Sequence, residues 1–81
     1  MSHRQKSSPD ETVKVLISLT DEGVADVDSV TRRVETSGVA VEDVMRLAGV
    51  IAGAAPLKLL PKLRRIEGVE DVREEGVFHP A

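Results

Sequence analysis

From Thr12 to Thr20 the chain alternates strictly, with Val13, Val15, Ile17 and Leu19 in one phase and Lys14, Leu16, Ser18 and Thr20 in the other. A period of two with branched apolar side chains in phase predicts a β-strand with one strongly buried face. The Thr20-Asp21-Glu22-Gly23 turn then changes the period, placing acids where a helix dipole favours them. Val24, Val27, Val30 and Val34 recur at steps of three and four, which predicts a helix from Val24 to Ser37. Asp26, Asp28, Arg32, Arg33 and Glu35 lie on its outer side, and Gly38 fits the left-handed residue that closes it.

Val39 to Leu47 is expected as a second strand, with Val41, Asp43, Met45 and Leu47 on one face and Glu42, Val44 and Arg46 on the other. Ala48-Gly49 is a tight turn, and Val50 to Ala55 returns as a third strand, making an antiparallel hairpin. Ile51, Gly53 and Ala55 share one face; Val50, Ala52 and Ala54 share the other. Gly53 weakens a strand unless something needs the space above it, and the expected occupant is a helix. Pro56 ends the strand. A second helix is predicted over Leu57 to Ile66, striped by Leu59 or Leu60, Leu63 and Ile66. Pro61 falls in or near its first turn, and Arg64 and Arg65 sit at the end that favours cations. Gly68 caps it, and Asp71 to Val77 forms a last strand anchored by Val72.

The order strand, helix, strand, strand, helix, strand predicts an α+β, ferredoxin-like split βαβ fold (βαββαβ). This is a four-stranded antiparallel sheet with two helices on one face. The expected organisation is a disordered leader over 1–11, the folded domain over 12–78 and a C-terminal tail over 79–81. With both helices on one side, the other sheet face is open. Strict alternation assigns it Leu16, Val44, Val50, Ala52 and Ala54, rimmed by Lys14, Glu42, Arg46, Arg73 and Glu75. A mildly apolar patch with a charged rim suits an interaction surface. The plainer reading is that scattered Val and Ala on a solvated sheet carry no role.

Composition narrows the function. The 81 residues allow one domain with a thin core. Phe78 is the single aromatic, so little is available to stack bases or sugars. A net charge of −3, with cations interspersed among acids, argues against nucleic acid. The absence of cysteine removes any disulfide framework. No apolar run reaches the ~20 residues that span a bilayer, and no signal-peptide h-region is present, so no membrane partner and a cytoplasmic location are expected.

Chemistry is equally sparse. His3 and His79 are the only histidines, far apart in sequence, and a metal site needs several ligands at sensible spacing. No serine, threonine or lysine stands beside an oriented base, and Ala48-Gly49-Val50-Ile51-Ala52-Gly53 is a hairpin rather than a phosphate loop. A non-enzyme without metal or cofactor is expected.

The run Gly49-Val50-Ile51-Ala52-Gly53-Ala54-Ala55, then Leu60-Pro61-Lys62-Leu63-Arg64, then Glu67-Gly68-Val69-Glu70-Asp71-Val72-Arg73-Glu74-Glu75 resembles subtilisin propeptides and the stand-alone inhibitors related to them. The resemblance implies a folding assistant or inhibitor of a subtilisin-like serine protease. Its open sheet face would pack on two surface helices of the protease, and acids of the last strand would cap their N-termini. Carried over, Glu75 is a capping acid and Val77, Phe78, His79, Pro80 and Ala81 form a tail in the substrate cleft. Phe78 would fill the hydrophobic pocket four residues before the cut and Ala81 would sit at it. Arg73 departs from the pattern, standing where the family has the first capping acid.

Leu19-Thr20-Asp21-Glu22-Gly23-Val24 and the valine-striped helix after it also resemble the opening of ACT domains, which implies a self-associating, amino-acid-sensing module and a homodimer. Short bacterial chains similar to this one also carry the label ketohydroxyglutarate aldolase. That activity's barrel takes about 250 residues and a buried Schiff-base lysine, neither of which this sequence offers.

Overall fold

The computed structural model describes residues 9–77. The elements are β1 (Thr12–Leu19), α1 (Asp21–Ala25), α2 (Val27–Ser37), β2 (Ala40–Met45), β3 (Val50–Pro56), a 3₁₀ turn (Leu57–Leu59), α3 (Leu60–Leu63) and β4 (Val69–Val77). The sheet order is β2-β3-β1-β4, and every neighbouring pair is antiparallel. β1 and β2 therefore run parallel with β3 between them, and β3 and β4 run parallel with β1 between them. Two split βαβ units interleave, giving the four-stranded α+β architecture that the sequence predicts.

The core lies between one sheet face and the helices. Val13, Val15, Ile17 and Leu19 of β1 pack in one cluster with Val27, Val30 and Val34 of α2 and Leu60 and Leu63 of α3. Ile17, Ile51 and Leu63 are each fully buried, and no polar or charged residue is buried among those described. The ambiguous stripe of the last helix resolves to Leu60, with Leu59 and Ile66 half-buried at the core's margin.

The single helix expected over Val24 to Ser37 is two pieces. Thr20 caps the first, its Oγ1 accepting the Gly23 N–H at 3.0 Å, so helix begins at Asp21 rather than Val24. Asp26, at φ −126°, breaks the run before α2. Val24 consequently leaves the core stripe and is 39% exposed. The other end behaves as the sequence predicts. Gly38 has φ 121°, its N–H donates to Glu35 O at 3.0 Å and the Val39 N–H donates to Val34 O at 3.3 Å, the hydrogen-bond pair of a Schellman closure.

The second expected helix is also shorter. Only Leu60–Leu63 is α-helical, after the 3₁₀ turn. Its entry is held from outside the element: Leu57 N–H donates to Glu11 O at 2.8 Å and Lys58 N–H donates to Pro9 O at 2.9 Å. Lys58 also pairs with Asp10 at 3.0 Å. The stretch 9–11, expected within the leader, is thus bonded to the domain; residues 1–8 lie outside the described ones.

The phase of β2 differs from strict alternation. Val41 stands opposite Gly53, Asp43 opposite Ala52 and Val44 opposite Ile51, so Glu42 is an inserted residue in a bulge. The insertion turns both Val41 and Val44 toward the core, where they pack half-buried. Half-burying one more valine contributes on the order of 1 kcal/mol, enough to offset the ~1 kcal/mol net of a disrupted ladder bond. The same segment occupies the space above Gly53. A Cβ there would lie 2.5 Å from Ala40 O and 3.0 Å from Val39 Cγ1, so β2 and its entry, not a helix, require the glycine.

Candidate protein-binding face and an adjoining groove

The face away from the helices is defined by cross-strand register. Three rows cross it: Gly76–Lys14–Ala54–Ala40, Arg73–Leu16–Ala52–Asp43 and Asp71–Ser18–Val50–Met45, each written from β4 through β1 and β3 to β2. Its centre is small and mildly apolar: Leu16, Val50 and Ala52 are half-buried, Ala54 is 5% exposed and Met45 36%. Lys14, Asp43, Asp71 and Arg73 are exposed around it. Among the described residues none of these four takes part in an ion pair.

Of the residues assigned to this face from sequence, Val50, Ala52, Leu16 and Ala54 lie on it. Val44 does not; the β2 bulge turns it opposite Ile51 and into the core margin. Met45 and Asp43 take the outward positions instead. Glu42 is the bulge residue itself. Arg46 lies in the β2–β3 turn, bonded to Asp28 at 2.8 Å. Glu75 is exposed and is the inserted residue of a second bulge, between the Lys14–Gly76 and Val15–Glu74 pairs. Val77, opposite Val13, ends the described part of β4. Phe78, His79, Pro80 and Ala81 lie outside the described residues, as does His3.

The outer strands, β2 and β4, are poor templates for strand addition. β2 carries the Glu42 bulge, and β4 is irregular between both Lys14/Val15 and Ser18/Leu19. Bulges and charges on an edge discourage pairing with another chain.

Sequence reasoning missed a groove of about 380 Å³ between the β1–α1 turn and the turn before β4. Gly23, Gly68 and Val30 are among its lining residues, together with Glu22, Asp26 and Arg33. The turns meet there because both are glycines. A Cβ on Gly23 would collide with the Gly68 carbonyl oxygen, and that carbonyl accepts the Thr20 N–H at 2.9 Å. Arg33 donates to Glu67 O at 3.3 Å across one side. A pair of glycines, one following each crossover's strand or helix, was the available signal.

No group of three or more His, Asp or Glu side chains that could hold a metal occurs among the described residues. No helix among them is long and apolar enough to cross a membrane. Comparison with known protein families, characterised proteins and solved structures returns no match.

Proposed function

We propose that this chain is a small, non-catalytic protein-binding module of the subtilisin-propeptide kind, docking through its open sheet face and its C-terminal residues. One observation carries this reading. The face has a centre of Leu16, Val50, Ala52 and Ala54 ringed by charges, and it adjoins an outer strand, β4, that leads directly to Phe78–Ala81. Small side chains at the centre let the backbone of a partner's helices approach closely. Charges at the margin orient a partner more than they bind it. Exposed Glu75 is available for a helix N-terminus. Arg73, opposite Leu16 on the same face, suits a helix C-terminus instead.

The test is hydrolysis of a peptide substrate by a subtilisin-like serine protease with the full chain added. Inhibition is expected. It should weaken in Ala52→Lys and disappear when Phe78–Ala81 are removed. Full protease activity at a micromolar excess of the chain overturns the reading.

A second reading, an ACT-like ligand-sensing domain, is favoured by the groove at Gly23 and Gly68. It expects a free amino acid to raise the melting temperature. A scan of the free amino acids that leaves the transition unmoved would exclude it.

A further inference from the structure

We infer that the open face also binds a second copy of this chain, the two sheets packing face to face about a two-fold axis parallel to the strands. Stacked sheets lie about 10 Å apart. An axis parallel to the strands, passing between β1 and β3, superposes β4 of one copy on β2 of the other. In the middle row, which reads Arg73–Leu16–Ala52–Asp43, each residue then meets its complement. Arg73 faces the partner's Asp43, and Leu16 faces the partner's Ala52. Symmetry repeats both contacts. An extended arginine and an aspartate together span the separation between stacked sheets, and the leucine fills the depression that an alanine leaves.

Within this row the charges also select the axis; in the outer rows Lys14 and Asp71 meet the partner's Ala54 and the partner's Met45. A two-fold perpendicular to the strands would set Arg73 against Arg73 and Asp43 against Asp43, the like-charge juxtaposition that interfaces avoid. Among the described residues neither Arg73 nor Asp43 has an ion-pair partner within the chain, so neither must break one to bind.

Four strands spaced by about 4.8 Å and three rows spaced by about 7 Å give a face near 400 Å² per copy. The total, about 800 Å², falls below the ~1,200 Å² of a stable interface, so the dimer is weak and transient. The inference does not depend on protease inhibition, but it uses the same face, so a chain in the dimer cannot dock elsewhere through it.

The experiment is sedimentation equilibrium of the full chain at low salt, at concentrations up to about 1 mM. A reversible monomer–dimer equilibrium is expected. Arg73→Asp and Asp43→Arg should each weaken it by about tenfold or more, and the two changes combined should restore it, because the pair is then merely exchanged. Both positions are exposed, and far-UV circular dichroism checks that each variant folds. A monomer at every concentration, association indifferent to either single reversal, or a double variant that stays weak overturns the inference. No protease is present here, so a chain that stays monomeric in this experiment yet inhibits in the separate protease assay would assign the face to the protease alone and leave the previous reading intact.

Discussion

Replacing Gly23 by alanine sets two effects of opposite sign against each other. Gly23 lies inside α1 and is not among the residues with positive φ. Helix propensity alone therefore makes Gly23→Ala stabilising by about 0.8–1 kcal/mol. Packing argues the reverse. The added Cβ would strike the Gly68 carbonyl, with the carbonyl carbon at 2.9 Å and Gly68 Cα at 3.1 Å. These are backbone atoms and cannot swing aside as a side chain would. Separating the two turns strains the structure by about 1–3 kcal/mol. It also loosens the 2.9 Å hydrogen bond from Thr20 N–H to Gly68 O, worth about 1 kcal/mol net. The collision wins, and the variant should be about 1–3 kcal/mol less stable than the parent after subtracting the propensity gain. A domain of this size holds only about 4–12 kcal/mol in total. The assay is urea unfolding followed by far-UV circular dichroism, since the chain has no Trp or Tyr to report by fluorescence. With a slope near 1 kcal/mol/M the midpoint falls by about 1 M or more. Gly76→Ala separates the two causes of strain: nothing lies within 4 Å of the new Cβ, so any loss there reports its φ of 134° and not a collision. A Gly23→Ala variant as stable as the parent, or more so, would refute the close approach of the two turns.

Truncation of Ile17, fully buried at the centre of β1, to alanine should cost about 2–5 kcal/mol and leave much of the population unfolded in mild urea. Thr20→Ala removes the cap on the Gly23 N–H at 3.0 Å and should lower stability by about 1 kcal/mol in the same unfolding curves. Arg46→Ala breaks the 2.8 Å contact to Asp28, yet those side chains are 60% and 78% exposed; the midpoint should move by less than the equivalent of about 0.5 kcal/mol.

The reading from sequence held where a signal was local and repeated. Val13, Val15, Ile17 and Leu19 alternate over a whole strand, and a single-residue slip would turn all of them to solvent. Gly38 closes α2 because its positive φ belongs to that position whatever surrounds it. Strict alternation, by contrast, places Val44 on the open face, whereas the structure sets it opposite Ile51. The spacing of three between Val41 and Val44, with two acids between them, is a bulge pattern whose advantage appears only when the core lies on one side. Val24 fits the helix stripe by spacing alone; the Thr20 cap and the break at Asp26 rotate it outward.

For the candidate site the division is similar. Val50, Ala52, Leu16 and Ala54 could be assigned to one face from alternation alone, because β1 and β3 are regular there. Asp43 and Met45 could not, since their direction depends on the bulge. The pairing of Gly23 with Gly68 spans 45 residues (68 − 23), and no local periodicity encodes it.

Sequence by itself thus determined the element order, the split βαβ class, the inward set of β1 and an open face with a small apolar centre. Each of these follows from periodicity and from backbone preferences of single residues. Tertiary structure alone decided that Asp43 rather than Glu42 borders that face, where the helices break and that two turns meet in a groove. Those outcomes depend on how much burial one segment gains by shifting against another, a quantity that exists only once the segments are packed together.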